Sequence, residues 1–291
     1  MKATILVGDV LTRIKEIPDQ TVQCVVTSPP YWGLRDYGHD GQIGLEATPQ
    51  AYVENIVAVF REVRRILKDD GVLWLNLGDS YVHTQPGRNR NGTGGQIVRG
   101  EMYRRKNNKG DSDKFRGIVS MGLKVKEIMG MPWRIALALQ ADGWWLRQDI
   151  IWHKPNPMPE SAMDRCTKAH EYLFMLTKSP NYYFNGEPIR EPAVGPDENR
   201  IKRSVWTIPT KPFKGAHFAV MPEALCEPPI LATSKENDLV FDPFTGSGTV
   251  ATVALRHGRN YLGIELNPDY TQIAVDRINN DQPMLNETEI A

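Results

Sequence analysis

The stretch from Leu239 to Glu265 constrains the fold more than any other part of the chain. Leu239-Val240-Phe241-Asp242 has the apolar character of a short buried strand. It runs into Pro243-Phe244-Thr245-Gly246-Ser247-Gly248, a turn whose glycines let a ligand approach the backbone closely. Thr249–His257 then follows helical spacing, and Tyr261-Leu262-Gly263-Ile264-Glu265 reads as a second strand. The helix start offers unpaired N–H groups to an anion. Glu265, 19 positions after Gly246, stands where a carboxylate can accept both hydroxyls of a ribose. Taken alone, Gly246-Ser247-Gly248-Thr249-Val250-Ala251 also fits the dinucleotide pattern G-x-G-x-x-A, so an NAD-dependent oxidoreductase competes, as does a plain packing turn.

The same alternation extends along the chain. Ala3–Val7, Gln23–Thr27 and Gly71–Leu77 read as strands, with an amphipathic helix over 49–68 between the last two. Trp133–Ala141 is helical; Trp144–Trp152 and Glu171–Leu176 look like two antiparallel strands at a sheet edge, with Trp144-Trp145 in the core. Lys211–Gly215 is a loop, Pro222–Ala232 a helix and Tyr270–Ile278 the closing helix, and the polar tail after Asn279 is expected to fray. Strand–helix alternation with buried apolar strands predicts an α/β fold: one open, mostly parallel, doubly wound sheet in a single domain over 1–291.

Charge is what places a partner. The 291 residues hold 35 basic and 35 acidic side chains, a neutral total that by itself argues against nucleic acid. The total is misleading. Between Gln85 and Lys126 there are eleven basic and three acidic residues, a net +8, against −8 elsewhere. That stretch is rich in Gly and Asn and poor in periodic apolar residues, so it reads as an insertion: either a solvated loop or a basic arm that tracks DNA phosphates. A second basic cluster, with Arg190, Arg200, Lys202, Arg203, Lys211 and Lys214, lies in 181–214. No apolar run approaches the roughly 18–20 residues of a membrane span, and the first residues lack a signal-peptide pattern. Three scattered cysteines fit a reducing cytoplasm, and neither they nor the six histidines have metal-ligand spacing, so no metal is expected.

Thr27-Ser28-Pro29-Pro30-Tyr31-Trp32 follows the second strand. Its prolines fix φ and remove two N–H donors, so the turn presents acceptors. The Ser28 hydroxyl and the Pro29 carbonyl can both accept from one exocyclic NH2 group, and Tyr31 is placed to stack on a base. Asp242 can meet the amino group of a methionine moiety, which favours S-adenosylmethionine over NAD in the glycine turn.

Together these motifs resemble the S-adenosylmethionine-dependent amino-DNA methyltransferases of the β group, in which the catalytic motif precedes the cofactor motif in a circularly permuted order. The resemblance covers nearly the whole chain. It implies a seven-stranded sheet with one antiparallel edge strand, a prokaryotic or phage-encoded cytoplasmic enzyme, and double-stranded DNA as substrate. A cognate restriction endonuclease and a monomer or homodimer go with the family. Ser28, Pro29, Pro30 and Tyr31 are then catalytic. Asp9 (within Val7–Leu11), Thr27, His217, Phe218, Asp242, Pro243, Phe244, Thr245, Gly246, Ser247, Gly248, Thr249, Glu265 and Asn267 would hold the cofactor. Trp32, Trp152, Lys154 and Arg165 would flank the flipped base, and Arg104 and Arg105 would reach DNA. Asn76–Asp79, Trp152–Pro159 and His170-Glu171 also resemble family elements. In the family, Ser at the first tetrapeptide position goes with cytosine N4 and Asp with adenine N6. N4-cytosine methylation is therefore expected, N6-adenine methylation is the alternative, and a catalytically silent DNA-binding protein is the alternative of another class. Cytosine C5 chemistry needs a nucleophilic Cys after Pro, and none of Cys24, Cys166 and Cys226 follows a proline.

Overall fold

The computed structural model describes residues 1–34, 36, 38–39, 41–82, 122–193, 199–210, 220–281 and 287–291. The strands are β1 (Lys2–Val7), β2 (Val22–Thr27), β3 (Leu67–Leu77), β4 (Trp145–His153), β5 (His170–Thr177), β6 (Glu191–Pro192), β7 (Asn199–Arg200), β8 (Val205–Thr207), β9 (Leu239–Asp242), β10 (Asn260–Glu265) and β11 (Glu287–Ile290). The helices of the two faces are α1 (Val10–Arg13), α2 (Pro49–Ile66), α3 (Met131–Ala141), α4 (Glu223–Thr233), α5 (Thr249–Arg256) and α6 (Pro268–Asp281).

Among the described residues nine strands form one sheet, in the order β11-β1-β10-β9-β2-β3-β5-β4-β8. Helices α1–α3 cover one face and α4–α6 the other, which is the expected doubly wound arrangement. Strands β2 and β3 are buried on both sides. Val25, Leu73 and Leu75 point to one layer, and Cys24, Val26, Val72 and Trp74 to the other. That two-sided burial is why they read as continuous apolar runs.

Nine strands replace the seven expected, and the antiparallel strand is not at the edge. Strand β5 runs against both β3 and β4 and lies third from the end, because β8 adds parallel to β4 through Ile151–His153. β8 lies inside the basic stretch 181–214, anchored by the buried Trp206. At the other end the polar tail does not fray: β11 pairs with β1 from Lys2↔Glu287 to Ile5↔Ile290. Its backbone covers what would be an open sheet edge, a gain that composition does not reveal. Trp144 is core, but Trp145, the next residue, is 47% exposed, since successive residues face opposite ways near a strand.

Helix α2 shows how local chemistry fixes an element. Thr48 caps it by accepting from the Ala51 amide at 3.1 Å, and Pro49 occupies the first turn. Tyr52, Val53, Ile56, Val59, Phe60, Val63 and Ile66 then form one buried stripe, each worth roughly 1.5–3 kcal/mol when fully removed from water. No helix among the described residues is long and apolar enough to cross a membrane.

Candidate active site

Strand order reverses between β9 and β2. From β9 the chain crosses through α5 to β10 on one side, and from β2 it crosses through α2 to β3 on the other. Crevices outside the carboxyl ends of strands at such a switch point are where doubly wound folds bind ligands. A cavity of about 290 Å³ opens there, walled by the ends of β1, β2, β3, β9 and β10 and by the β4–β5 pair.

One hydrogen bond spans the switch point: Thr27 Oγ1, at the end of β2, donates to Asp242 Oδ1, at the end of β9, over 2.6 Å. The Phe244 amide donates to the same oxygen at 2.9 Å. Burial nevertheless dominates and pushes the Asp242 carboxyl up to about 7, with the nearby Glu265 adding to the rise. Glu265 is also raised, chiefly by burial, although the Gly246 and Asn267 amides donate to it at 2.7 and 2.9 Å. The Gly246 amide, which the sequence offers to an anionic ligand, is therefore already engaged by Glu265. Asp9 caps α1 by accepting from the Thr12 amide at 3.0 Å while also lining the cavity.

The glycines of the turn carry φ values of +53° at Gly246 and +75° at Gly248, a region other residues enter only with strain. At Gly248 a Cβ would also meet Ala274 Cβ at 2.9 Å, so the glycine sets how closely α6 packs on the turn. Gly263 is a further fixed point that the sequence alone does not mark. The buried Thr245–Tyr261 hydroxyl pair, 3.0 Å apart, crosses directly over it where any side chain would sit.

The Ser-Pro-Pro-Tyr turn enters the same cavity. Ser28, Pro29, Pro30 and Tyr31 all line it. Tyr31 is seated against Gly78, where a Cβ would lie 2.6 Å from its Cε2. Its hydroxyl donates to Glu171 Oε2 at 2.8 Å, and Asn76 Oδ1 lies 3.3 Å away. Glu171 in turn is paired with Lys154, whose ammonium sits 4.2 Å from the centre of the Trp152 ring. The Trp152 indole is fixed by donating to the Ile208 carbonyl at 2.8 Å.

Most of the sequence-predicted residues converge here. Asp9, Asp242, Pro243, Phe244, Thr245, Gly246, Ser247, Thr249, Glu265, Asn267, Trp152 and Lys154 line the cavity, with Thr27 and Gly248 immediately behind. Two do not reach it. Trp32 is buried in the core on the α1–α3 face and donates to the Glu46 carbonyl at 2.9 Å. Arg165 lies over the Tyr81 ring at 3.7 Å and pairs with Glu160. His217, Phe218, Arg104 and Arg105 lie outside the described residues, as do residues 85–121 of the basic insertion. Asn76 and Glu171 were legible only as parts of longer family-like segments. His39, Gln42 and Ile43, which also line the cavity, carry no sequence signal. In the second basic cluster, Arg190 pairs with Glu187, and Arg200 and Arg203 share Glu191. Arg203 first, and then Arg200, hold the Glu191 carboxyl below its usual range.

The sequence that builds this cavity, with a glycine turn and two buried carboxylates at one end and a Ser-Pro-Pro-Tyr turn at the other, matches a known family. The model for an N6/N4-type DNA methylase matches residues 22–276. The chain belongs to this DNA methylase family. The methylase is 50% identical over 277 residues to the Type II methyltransferase M.Cfr9I of Citrobacter freundii, covering 95% of this chain and 87% of that protein. It is 47% identical over 275 residues to M.SmaI of Serratia marcescens, covering 94% and 90%. Among solved structures it resembles a DNA modification methylase of Thermus thermophilus complexed with S-adenosyl-L-methionine, with TM-score 0.67 and 28% identity over 99% and 97% of the chains. The cytosine-N4-specific PvuII DNA methyltransferase shares its fold, with TM-score 0.70 at 18% identity over 100% and 95%.

Proposed function

We propose that the methylase acts on the exocyclic N4 amine of cytosine in double-stranded DNA, as the modification enzyme of a Type II system with a cognate endonuclease. S-adenosylmethionine is its cofactor and supplies an electrophilic methyl group on a sulfonium. The residues present fit that ligand. Glu265 offers a buried carboxylate for two ribose hydroxyls, and Asp242 a buried acid for the amino group.

The observation that carries the N4 reading is Ser28, whose hydroxyl lines the cavity beside the cofactor turn. The target base cannot present its amine inside a duplex and must swing out into the cavity. Ser28 Oγ and the Pro29 carbonyl then accept the two amine hydrogens and draw the nitrogen lone pair out of ring conjugation. Tyr31 and Trp152 wall the base, and Lys154 supplies a donor on the same side. Holding the amine in line with the methyl group does most of the work, as expected where orientation and fixed dipoles govern a displacement. For DNA contacts, we assign the basic insertion 85–126, with Arg104 and Arg105, and the segment 181–214, whose strand β8 leads to Thr210 in the cavity wall.

Digestion of DNA methylated by the purified protein, followed by mass spectrometry of the nucleosides, tests the assignment. N4-methylcytosine supports it; N6-methyladenine would overturn it in favour of the other chemistry of the family.

A further inference from the structure

The cavity holds one chain of hydrogen bonds that runs in a single direction. Ser28 Oγ donates to Tyr31 Oη at 3.4 Å, and Tyr31 Oη donates to Glu171 Oε2 at 2.8 Å. Lys154 holds the other carboxylate oxygen, Oε1. Asn76 offers the phenol a second acceptor, but at 3.3 Å and without charge, so the single phenolic proton goes to Glu171. Burial first, and then the charge of Glu171, raise the Tyr31 phenol well above its ordinary value, so it stays protonated as a donor. The first link, at 3.4 Å, is long, and catalytic hydrogen bonds commonly tighten with substrate in place. Wedging Tyr31 against Gly78 already orients its ring. Stacking therefore does not account for a carboxylate at the phenol's far end.

We propose that Glu171 is the terminal acceptor of the proton released when the target amine is methylated, reached through Ser28 and Tyr31. The inference rests on the reading of Ser28 as the amine's partner. As the amine lone pair forms the N–C bond, sulfur keeps the electrons of the broken C–S bond, and nitrogen carries one hydrogen too many. That proton passes to Ser28 Oγ, the serine proton passes to Tyr31 Oη, and the phenolic proton passes to Glu171 Oε2. The amine ends methylated and neutral, and both hydroxyls are restored. Glu171 is left as a carboxylic acid beside Lys154, and it returns its proton to water when product leaves. The methylated amine is acidic enough that a carboxylate suffices as the final base.

Glu171→Gln keeps an oxygen that can accept from Tyr31, removes the capacity to take the proton, and also gives up the ion pair with Lys154; Tyr31→Phe, which leaves that pair in place, separates the two effects. The single-turnover methylation rate of the Gln variant is expected to fall about 100-fold or more, with affinities for S-adenosylmethionine and duplex DNA within about twofold of wild type. Glu171→Asp should recover part of the rate. Infrared difference spectra of the wild-type product complex should show a protonated-carboxyl stretch that is missing in Glu171→Gln and in Tyr31→Phe. If the Gln variant folds poorly, Tyr31→Phe interrupts the same path and serves for both readouts. Wild-type turnover in Glu171→Gln, or persistence of the carboxyl band, overturns the relay. Ser28→Ala separates the two ideas. If it slows methylation while Glu171→Gln does not, the relay falls and the amine contact stands; if it leaves the rate unchanged, both fall.

Discussion

On the proposed reading, in which Asp242 faces the amino group of S-adenosylmethionine, cofactor affinity should depend on pH in a way that can be worked out beforehand. In the free site its carboxyl is raised from 3.8 to about 7, mainly by burial. A bound cation beside it favours the ionised form, so binding and proton release are linked below that value. If the complex returns Asp242 to the ordinary carboxylate range, affinity scales with the fraction ionised in the free protein. Between pH 7.5 and 5.5 that fraction drops roughly 25-fold, equivalent to about 1.9 kcal/mol. The amino group of the ligand, near about 7.7–8.0 in model compounds, stays mostly protonated throughout this window. Glu265, raised for the same reason, adds an effect of the same sign, so the 25-fold figure is the share of Asp242 alone. Calorimetry in two buffers of different ionisation enthalpy should show close to one proton released at the acid end, and Asp242→Asn should remove most of the slope. Folding without ligand carries the mirror image. Because the folded value lies above the unfolded one, the contribution is fully present below about pH 4 and is lost as pH rises through about 7. Asp242→Asn should therefore be nearly neutral at low pH and stabilise the ligand-free protein at pH 8, by about 4 kcal/mol at most. Affinity that is flat with pH, or an Asn variant that keeps the slope, would refute the reasoning.

Three other expectations follow from particular contacts. Thr27→Val removes the 2.6 Å bond that favours the charged form of Asp242; it should weaken ligand binding by about 1.5–3 kcal/mol and move the pH midpoint upward, readable in the same titrations. Gly263→Ala drives a methyl group into the Thr245–Tyr261 pair. Overpacking of this kind costs about 1–3 kcal/mol, so the melting temperature should drop, and an unchanged melt would mean that the pair is not held as described. Deleting 85–121 should weaken DNA binding and flatten its dependence on salt while leaving S-adenosylmethionine affinity intact, as fluorescence anisotropy at several ionic strengths can establish.

The parts of this fold that were legible in advance are those where one local rule decides. Leu239–Asp242, its glycine turn and Tyr261–Glu265 announce themselves by period and by residues that tolerate positive φ, and the structure brings Asp242, Gly246 and Glu265 to one cavity. Strands β8 and β11 were missed because strands of three or four residues at a sheet edge are held by neighbours rather than by their own pattern. Trp32 misled because an aromatic beside the Ser-Pro-Pro-Tyr turn can face the core as readily as the cavity, and a single residue's direction is not written in spacing. Glu171 was not readable as a site residue for a similar reason. It lies 140 positions from Tyr31 and meets it only because β5 runs antiparallel beside β3, placing Tyr172 opposite Leu77.

If 181–214 contacts DNA as proposed, the arginines of 190–203 bear on how this protein tells one stretch of DNA from another. Glu187 occupies the guanidinium fork of Arg190 that a phosphate would take, and Glu191 accepts from the Nε of both Arg200 and Arg203. An arginine so engaged must trade one anion for another, so casual contact with a backbone gains little. The carboxylates act as resident competitors that set a threshold, and a site that also rewards the protein through its bases can cross it. Counting basic side chains on this face then overstates its grip on arbitrary DNA, and replacing Glu191 with Gln should make the protein stickier and less discriminating.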